Sequence, residues 1–504
     1  ARDFLARRDE PAVQTNRRFF TGDHWQNGDG WVGPRPRTST GDASNAREVL
    51  RLIEQNFVSK NIVKEVVERH SSSVVGREPN WRFTRRDGET DTEQQRDAVK
   101  SMERALTEWW DEQRIGELLT EAVDTSLYAD TSSIRLFIPN ATEIPRLPFT
   151  EALALIHAEA LDVDTAGVFT DPDTSERIAV YVTRDDKQTV TEFSYLDEND
   201  LTVTERIDGT ADPDAESTPL DLGGRLPIIQ LERKRIVSPQ VCQNQRLLNM
   251  AVTMLSRNVV LGGFLERTII NAEMPGSYET DADGIKRFVP TPVTVGAGAV
   301  NILQSATVED SMGRVTALPT SVIYRDPVNV ATFTETKREA QENVYDEVKQ
   351  RHILIAGDAT ASGVSRQQAK ADFESDLNRT KLSVDRAIRQ LLETVIALAA
   401  ALSGENTDFL DQYRAVGDAR ITVAPPSDSE QVTAVALRDA ELISTETAMG
   451  RVGVEDPESE LQRIRQERAD EIEHAANTTP ATGDVTPTSR LLALLGTPPV
   501  EAGA

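Results

Sequence analysis

The chain has 504 residues, too many for one core, so about two to four substructures are expected. With 38% hydrophobic and only 5% aromatic residues, part of its stability is expected from contacts between copies rather than from one deep core. The 83 acidic and 55 basic residues leave a net charge of −28, which argues against tight clasping of nucleic acid but not against a wall along which a duplex slides, and the single cysteine, Cys242, excludes an intramolecular disulfide and a cysteine-rich metal cluster.

Residues 1–45 mix Arg, Gly, Pro and aromatics and read as an irregular arm with a local cluster of Phe19, Phe20, Trp25 and Trp31. They hold no apolar signal core, and the chain is expected to be soluble and not exported. From Ala46 to His70, Val49, Ile53, Phe57, Ile62, Val66 and Val67 fall at helical spacing, with a break near Ser59–Asn61. Gly76 and Pro79 end that helix, and Trp81–Gly88 reads as a strand and turn. Residues 91–127 are helical, with Met102, Leu106, Ile115, Leu118 and Leu119 on their apolar positions. Of the pair Trp109–Trp110, one indole is expected in the core, which disfavours a base-stacking platform.

Residues 128–237 change character. Ser132–Pro139, Arg177–Arg184, Val190–Tyr195 and Leu201–Ile207 are short β-type runs parted by Asp, Gly and Pro, with a helix expected over Phe149–Ala160. Residues 208–224 are an acidic surface loop.

The most informative stretch is 229–402. Two helices, about 239–261 and 330–351, flank a strand- and turn-rich insert, 264–327. The first carries Val241, Leu248, Val252, Leu255 and Val259 on one stripe, is roughly 35 Å long at ~1.5 Å per residue, and is stopped by Gly262–Gly263. The second carries Phe333, Ala340, Val344 and Val348, opposite a charged face of Glu335, Lys337, Arg338, Glu339 and Glu342. A small-residue stretch, Ile353 to Val364, precedes a third long helix, about 365–402, with a capping box from Ser365 to Gln368. Its most apolar part, Leu391–Leu402, is interrupted by Glu393 and is too short to span a bilayer. Enzymes rarely arrange their longest helices as a hairpin with a whole module at its tip, whereas a subunit that lines a tube must run along it, turn and come back. A strand-like segment at Ala419–Pro426, helices over 428–441 and 444–451, a helix started by Asp456–Pro457–Glu458, and a Thr/Pro/Gly/Ala-rich tail with a short apolar helix at Arg490–Leu495 complete the chain.

Catalytic and cofactor signatures are lacking. The five histidines, His24, His70, His157, His352 and His474, include no pair at metal-ligand spacing. There is no G-x-S-x-G and no P-loop, and the two glycines of Gly296–Asn301 lack a surrounding βαβ unit. Cys242 sits on a helix stripe as a small apolar residue without a catalytic histidine partner. Basic groups gather at Arg233, Lys234 and Arg235 and recur at Arg246, Arg257, Arg267, Lys286, Arg287, Arg314 and Arg325. They read either as surface solubilisers or as contacts to a passing duplex or a partner ring.

Taken in order, five passages resemble the portal proteins of tailed bacteriophages and related viruses, of the group with chains near five hundred residues. They are Arg17–Gln26, Asn61–Phe83, Gly224–Arg235 with the helix Val241–Asn258, Ser362–Leu377, and Ala440–Glu467. The resemblance implies an α+β, mainly helical ring subunit. By position, 1–235 would be the wing, 236–263 and 328–352 the stem helices, and 264–327 the clip. Residues 353–403 would form the tunnel loop and the long kinked helix, 404–475 the helical crown and 476–504 a mobile tail.

The tunnel loop would comprise Ile353, Leu354, Ile355, Ala356, Gly357, Asp358, Ala359, Thr360, Ala361, Ser362, Gly363 and Val364, which offer no lysine or arginine and so imply steric guidance of DNA. Lys234, Arg235, Arg246, Arg257, Lys286, Arg287, Arg314 and Arg325 would be the contacts to DNA or partners. The resemblance further implies a homo-oligomer of twelve copies at one capsid vertex, in the virion and, during assembly, in the host cytoplasm. Its partners would be double-stranded DNA, the terminase large subunit, scaffold and major capsid protein, and later head-completion or adaptor and tail proteins. No membrane, cofactor, metal or catalytic residue is implied. Two other readings stand beside it: a helical adaptor or scaffold without a channel, and a hydrolase using acidic pairs.

Overall fold

A computed structural model of the chain describes residues 11–25, 51, 53–139, 146–171, 174–184, 189–208, 219–263, 267–271, 276–280, 285–290, 305–309, 311–319, 321–324, 329–356, 363–404, 408–423, 428–452, 454, 460–461 and 463–468. Helix and strand are mixed throughout, and the chain divides into two units, Ala1–Ile421 and Thr422–Ala504.

The arm begins with a helix, α1 (Pro11–Thr21), where an irregular segment was expected. Proline at its first position and Val13, Asn16 and Phe19 on one buried side explain it. The expected aromatic cluster is dispersed. Phe19 stacks on His24 at 4.9 Å, Phe20 on Tyr128 at 5.3 Å and Trp25 on Phe57 at 5.0 Å, while Trp31 lies outside the described residues. The break at 59–61 is real. Asn61 caps α2 (Ile62–Val75) by accepting from Lys64 N at 2.9 Å, and Gly76 closes it.

Strand β1 (Asn80–Arg85) is followed by α3 (Glu93–Glu112), started by a Thr92–Gln95 capping box, and α4 (Ile115–Ala129). Both Trp109 and Trp110 are buried at 2% exposure, and Trp109 Nε1 donates to Ile156 O at 2.8 Å, so neither indole offers a face for stacking.

The region 128–237 forms two antiparallel sheets. One is three-stranded, with β2 (Thr131–Phe137) between β3 (His157–Leu161) and β8 (Ile228–Glu232). The other is a meander of β4 (Ala166–Thr170), β5 (Arg177–Arg184), β6 (Thr189–Leu196) and β7 (Thr202–Asp208). The helix expected over Phe149–Ala160 stops early. Only α5 (Phe149–Ala154) is helical, because residues from His157 onwards pair with β2. Leu161, Ala166, Val168, Ala179, Leu226 and Ile228 form the core shared by the two sheets. Arg135 joins them as well, lying over the Tyr181 ring at 3.9 Å and the Phe137 ring at 4.8 Å while bonding Glu192.

Two long rods follow, α6 (Pro239–Gly263) and α7 (Val330–Glu347), separated by a module with three antiparallel strand pairs among the described residues. In the module, β9 (Arg267–Ile270) pairs with β14 (Ser321–Tyr324), β10 (Gly276–Thr280) with β11 (Lys286–Pro290), and β12 (Thr307–Glu309) with β13 (Val315–Ala317). A short helix, α8 (His352–Ala356), precedes α9 (Gly363–Ser403), which starts two residues before the expected capping box.

α9 is the spine of the first unit and packs against α2, α5 and β8. Its second half is buried on all sides, Leu391 through Ala400. Glu393, the one charge in that run, meets Arg389 at 3.1 Å, Arg225 at 3.3 Å and Arg86 at 3.9 Å, which is how a carboxylate is tolerated there.

After α10 (Asp408–Gln412) comes β15 (Tyr413–Asp418), several residues before the strand-like segment expected at 419–426. It pairs with β1 from Asn80↔Asp418 to Arg85↔Tyr413, so part of the stretch assigned by resemblance to the crown is built into the first unit. In the second unit, α11 (Asp428–Asp439) and α12 (Thr445–Val452) pack together, and each buries an alanine, Ala434 and Ala448. Among the described residues no helix is long and apolar enough to cross a membrane.

Gly417 shows how closely β15 lies on the spine: a Cβ there would sit 3.0 Å from Asp385 O and 3.0 Å from Ile388 Cβ. Gly417→Val is expected to lower stability by about 1–3 kcal/mol, read as a fall in the urea midpoint at unchanged slope.

Candidate functional site

The α6–α7 hairpin is closed at both ends. Ser238 Oγ accepts from Val241 N at 3.2 Å, starting α6, and donates to Glu347 Oε1 at 3.1 Å, at the end of α7. At the other end Arg267 stands opposite Tyr324. The two rods therefore run antiparallel, with the strand module at their turn. At ~1.5 Å per residue α6 alone is about 38 Å long.

The half near Ser238 is buried, and its buried face is half polar. Val241, Cys242, Leu248 and Ala251 alternate with Asn244, Gln245, Asn249 and Thr253. The Gln245 side chain is at 0% exposure. Its Oε1 accepts from Ile62 N at 3.0 Å and Val63 N at 3.3 Å, and its Nε2 donates to Lys60 O at 2.7 Å and Asn249 Oδ1 at 2.8 Å. Asn249 Nδ2 donates onward to His24 Nδ1 at 3.2 Å. Because a carbonyl only accepts, His24 Nε2 carries the proton and donates to Phe19 O at 2.9 Å. Asn16 Nδ2 bridges Tyr128 O and Val237 O, and the Cys242 thiol donates to Asn16 Oδ1 at 3.2 Å. Burial pushes that thiol up to about 11, so it is inert.

The end of α7 is held as firmly. Tyr345 OH donates to Glu65 Oε1 at 2.7 Å, Arg69 bonds Glu65 Oε1 at 2.8 Å and Gln350 Oε1 at 3.1 Å, and Gln350 Nε2 donates to Val66 O at 2.7 Å. Beside it, the buried Arg233 guanidinium donates to Asp376 Oδ2 at 2.7 Å, to Thr380 Oγ1 at 2.9 Å and to Lys234 O. His70 Nε2 lies 2.7 Å from the same Thr380 hydroxyl. Burial, reinforced by the charge of Arg233, pushes His70 down to about 3, so it stays neutral.

The distal half is different. Of the stripe read from sequence, Val241 and Leu248 are buried, Val252 and Leu255 half-buried, and Val259 is 63% exposed. In α7, Ala340 and Val344 are buried, as is Val348 just past its end, and Phe333 is half-buried, while Val330, Glu335, Arg338 and Glu339 are exposed. In the strand module, β10, β12 and β13 are exposed along their whole length, and Tyr278 and Met312 reach 73% and 79%.

Of the eight basic residues singled out from sequence, the seven described are spread over several elements. Lys234 is exposed and Arg235 pairs with Asp130 at 3.5 Å near the base of the hairpin. Arg246 lies over the Phe19 ring at 5.0 Å, which gives it a packing role. Arg257 is exposed on the distal half of α6, and Lys286, Arg287 and Arg314 are exposed in the strand module. Arg325 lies outside the described residues.

Of the stretch read as a tunnel loop, Ile353, Leu354, Ile355 and Ala356 are helical, in α8, and Gly363 and Val364 open α9. Gly357, Asp358, Ala359, Thr360, Ala361 and Ser362 lie outside the described residues. Gln245, Asn249, Asn16 and Gln350 were not singled out by sequence. For Asn16, Gln245 and Asn249 the one signal is amides placed among apolar residues on a helix, as in Cys242–Gln245–Asn249; Gln350, in the break after α7, has none. Among the described residues no three His, Cys, Asp or Glu side chains are placed to hold a metal ion.

No family model matches the chain, and no curated protein matches it. Among solved structures it is similar to one described as the neck of a native GTA particle computed with C12 symmetry, at 13% identity and a TM-score of 0.37 over 81% of this chain and 94% of that one. That score is too low for the two to be taken as one fold.

His24 makes the anchor sensitive to acid. Burial lowers its pKa below 6.5, outweighing its two hydrogen bonds and the nearby Asp23, so below pH 6.5 the unfolded chain binds a proton that the folded chain does not. Stability is therefore expected to fall as pH drops from 6.5 and to level off beneath the folded-state pKa. In His24→Gln, denaturant titrations from pH 7.5 to 5 should show a shallower loss than the wild type.

Proposed function

We propose that this chain is the subunit of a DNA-conducting ring, a portal protein at one vertex of a tailed-phage-type capsid. The observation that carries the reading is the hairpin itself. Two antiparallel rods are locked by polar side chains at one end and are only partly covered at the other, beneath a strand module with exposed aromatic and aliphatic side chains. Isolated two-stranded pairs are marginal in water, and exposed apolar surface of this kind is covered in a working assembly. Neighbouring copies set flank to flank would cover it, leaving the rods around an open axis. The five ordered sequence passages point the same way.

In this reading the ring has about a dozen copies, and the strand module at the hairpin tip meets first the terminase motor and then the adaptor and tail proteins. Scaffold and capsid protein surround the ring during assembly in the host cytoplasm, and it remains in the virion. The chain performs no chemistry; nucleotide hydrolysis belongs to the separate motor. The acidic balance of the chain keeps the duplex from sticking to the channel.

Size-exclusion chromatography with light scattering tests the reading against a channel-free adaptor. A particle of roughly a dozen chain masses is expected, and a monomer or dimer at every concentration tried would contradict it.

A further inference from the structure

Between Val330 and Ala356 the sequence holds no glycine and no proline, so local preference favours one unbroken helix. The chain breaks there all the same. α7 ends at Glu347, Lys349 adopts φ +60°, and α8 starts at His352. The Gln350 N–H, which a continuous helix would direct to Asp346 O, instead donates to Tyr345 O at 2.8 Å. A helix that ends through a left-handed residue ordinarily uses glycine or asparagine, because a longer side chain brings its Cβ against the following carbonyl.

The break is imposed by residues outside the two helices. The Gln350 amide is wholly buried between Val66 O and Arg69 on α2. The Lys349 ammonium lies 3.8 Å from Asp376 Oδ1 on α9. The His352 ring stacks on Phe373, also on α9, at 4.7 Å. Beside the turn lies a polar cavity of about 870 Å³ whose walls include Asp346, Lys349, Arg351, Ile355, Gln368 and Asp372.

We propose that Val348–Ala356 is a two-state hinge. One state is the broken form held by Gln350 and Lys349. In the other, α7 runs on through α8 as a single helix. Gln350 then exchanges its contacts with α2 for the regular backbone ladder, and Ala356 moves to about 13 Å beyond Glu347 along the α7 axis. Whatever competes for the Asp376 carboxylate, or draws Gln350 from α2, moves the equilibrium towards the continuous helix. The hinge stands on these contacts alone; its use in setting the bore of a channel rests on the ring reading.

The test is a spin-label distance within one copy of the full chain, with Glu339→Cys and Ile355→Cys labelled and diluted into unlabelled protein. Cys242 is buried and does not compete for label. In a continuous helix the two Cα atoms stand about 24 Å apart, and any break brings them closer. Lys349→Gly relieves the turn and is expected to give only the short distance. Lys349→Ala with Gln350→Ala removes the outside hold and is expected to raise the population near 24 Å at least several-fold over that in Lys349→Gly. Identical distance distributions in the two proteins would overturn the hinge. If the double variant does not fold, Lys349→Ala alone is read against Lys349→Gly by the same criterion. Loss of ring assembly in the parent protein would contradict the proposed function and leave this measurement unaffected.

Discussion

The structure depends on one buried amide. Gln245 accepts from the first two backbone N–H groups of α2 and donates to the carbonyl of Lys60 and to Asn249, so the start of α2 and the shaft of α6 share a single side chain. Removing it leaves Val63 N unpaired at a buried place, costing about 1–3 kcal/mol, and leaves Ile62 N and the Lys60 carbonyl with only their own 3.1 Å bond to each other. The direction of every bond in the chain Gln245–Asn249–His24–Phe19 is set by the carbonyl at its end, which makes the anchor rigid and also makes it sensitive to the proton on one imidazole.

Rigidity at the base explains how the rest can be exposed. A hairpin with a free distal half would swing if only apolar packing held its root. Here the root is fixed twice, through Gln245 on α6 and through Tyr345 and Gln350 on α7, and both sets converge on α2. The Arg233–Asp376 pair then ties the entry of α6 to the long helix α9. A buried ion pair of this kind adds little net stability against an apolar substitute, but breaking it is costly, so it favours one arrangement over others.

Much of this architecture is legible in the sequence, and the reasons for the misses are specific. Long amphipathic periods revealed α6, α7 and α9 because each carries enough apolar repeats to outweigh local noise, and the short β runs of 177–207 were legible by their alternation. His157–Ala160 was read as helix because its alanines have no strand preference of their own; pairing with β2 decides its state. β15 was misplaced for the same reason, since its partner lies more than three hundred residues away. The break at Lys349 has no glycine or proline to signal it, and the side-chain contacts of Lys349 and Gln350 run to α9 and α2. The amides of the anchor were missed because a lone Gln or Asn on an apolar stripe resembles a surface residue until its partners are known.

The central claim is that copies of this chain surround an open axis walled by α6 and α7. Electron microscopy of the purified protein tests it most directly. The account predicts end-on views of a closed ring with a duplex-wide central hole and the strand module at one mouth. Solid particles without an axial opening, with the two rods enclosed inside, would contradict it.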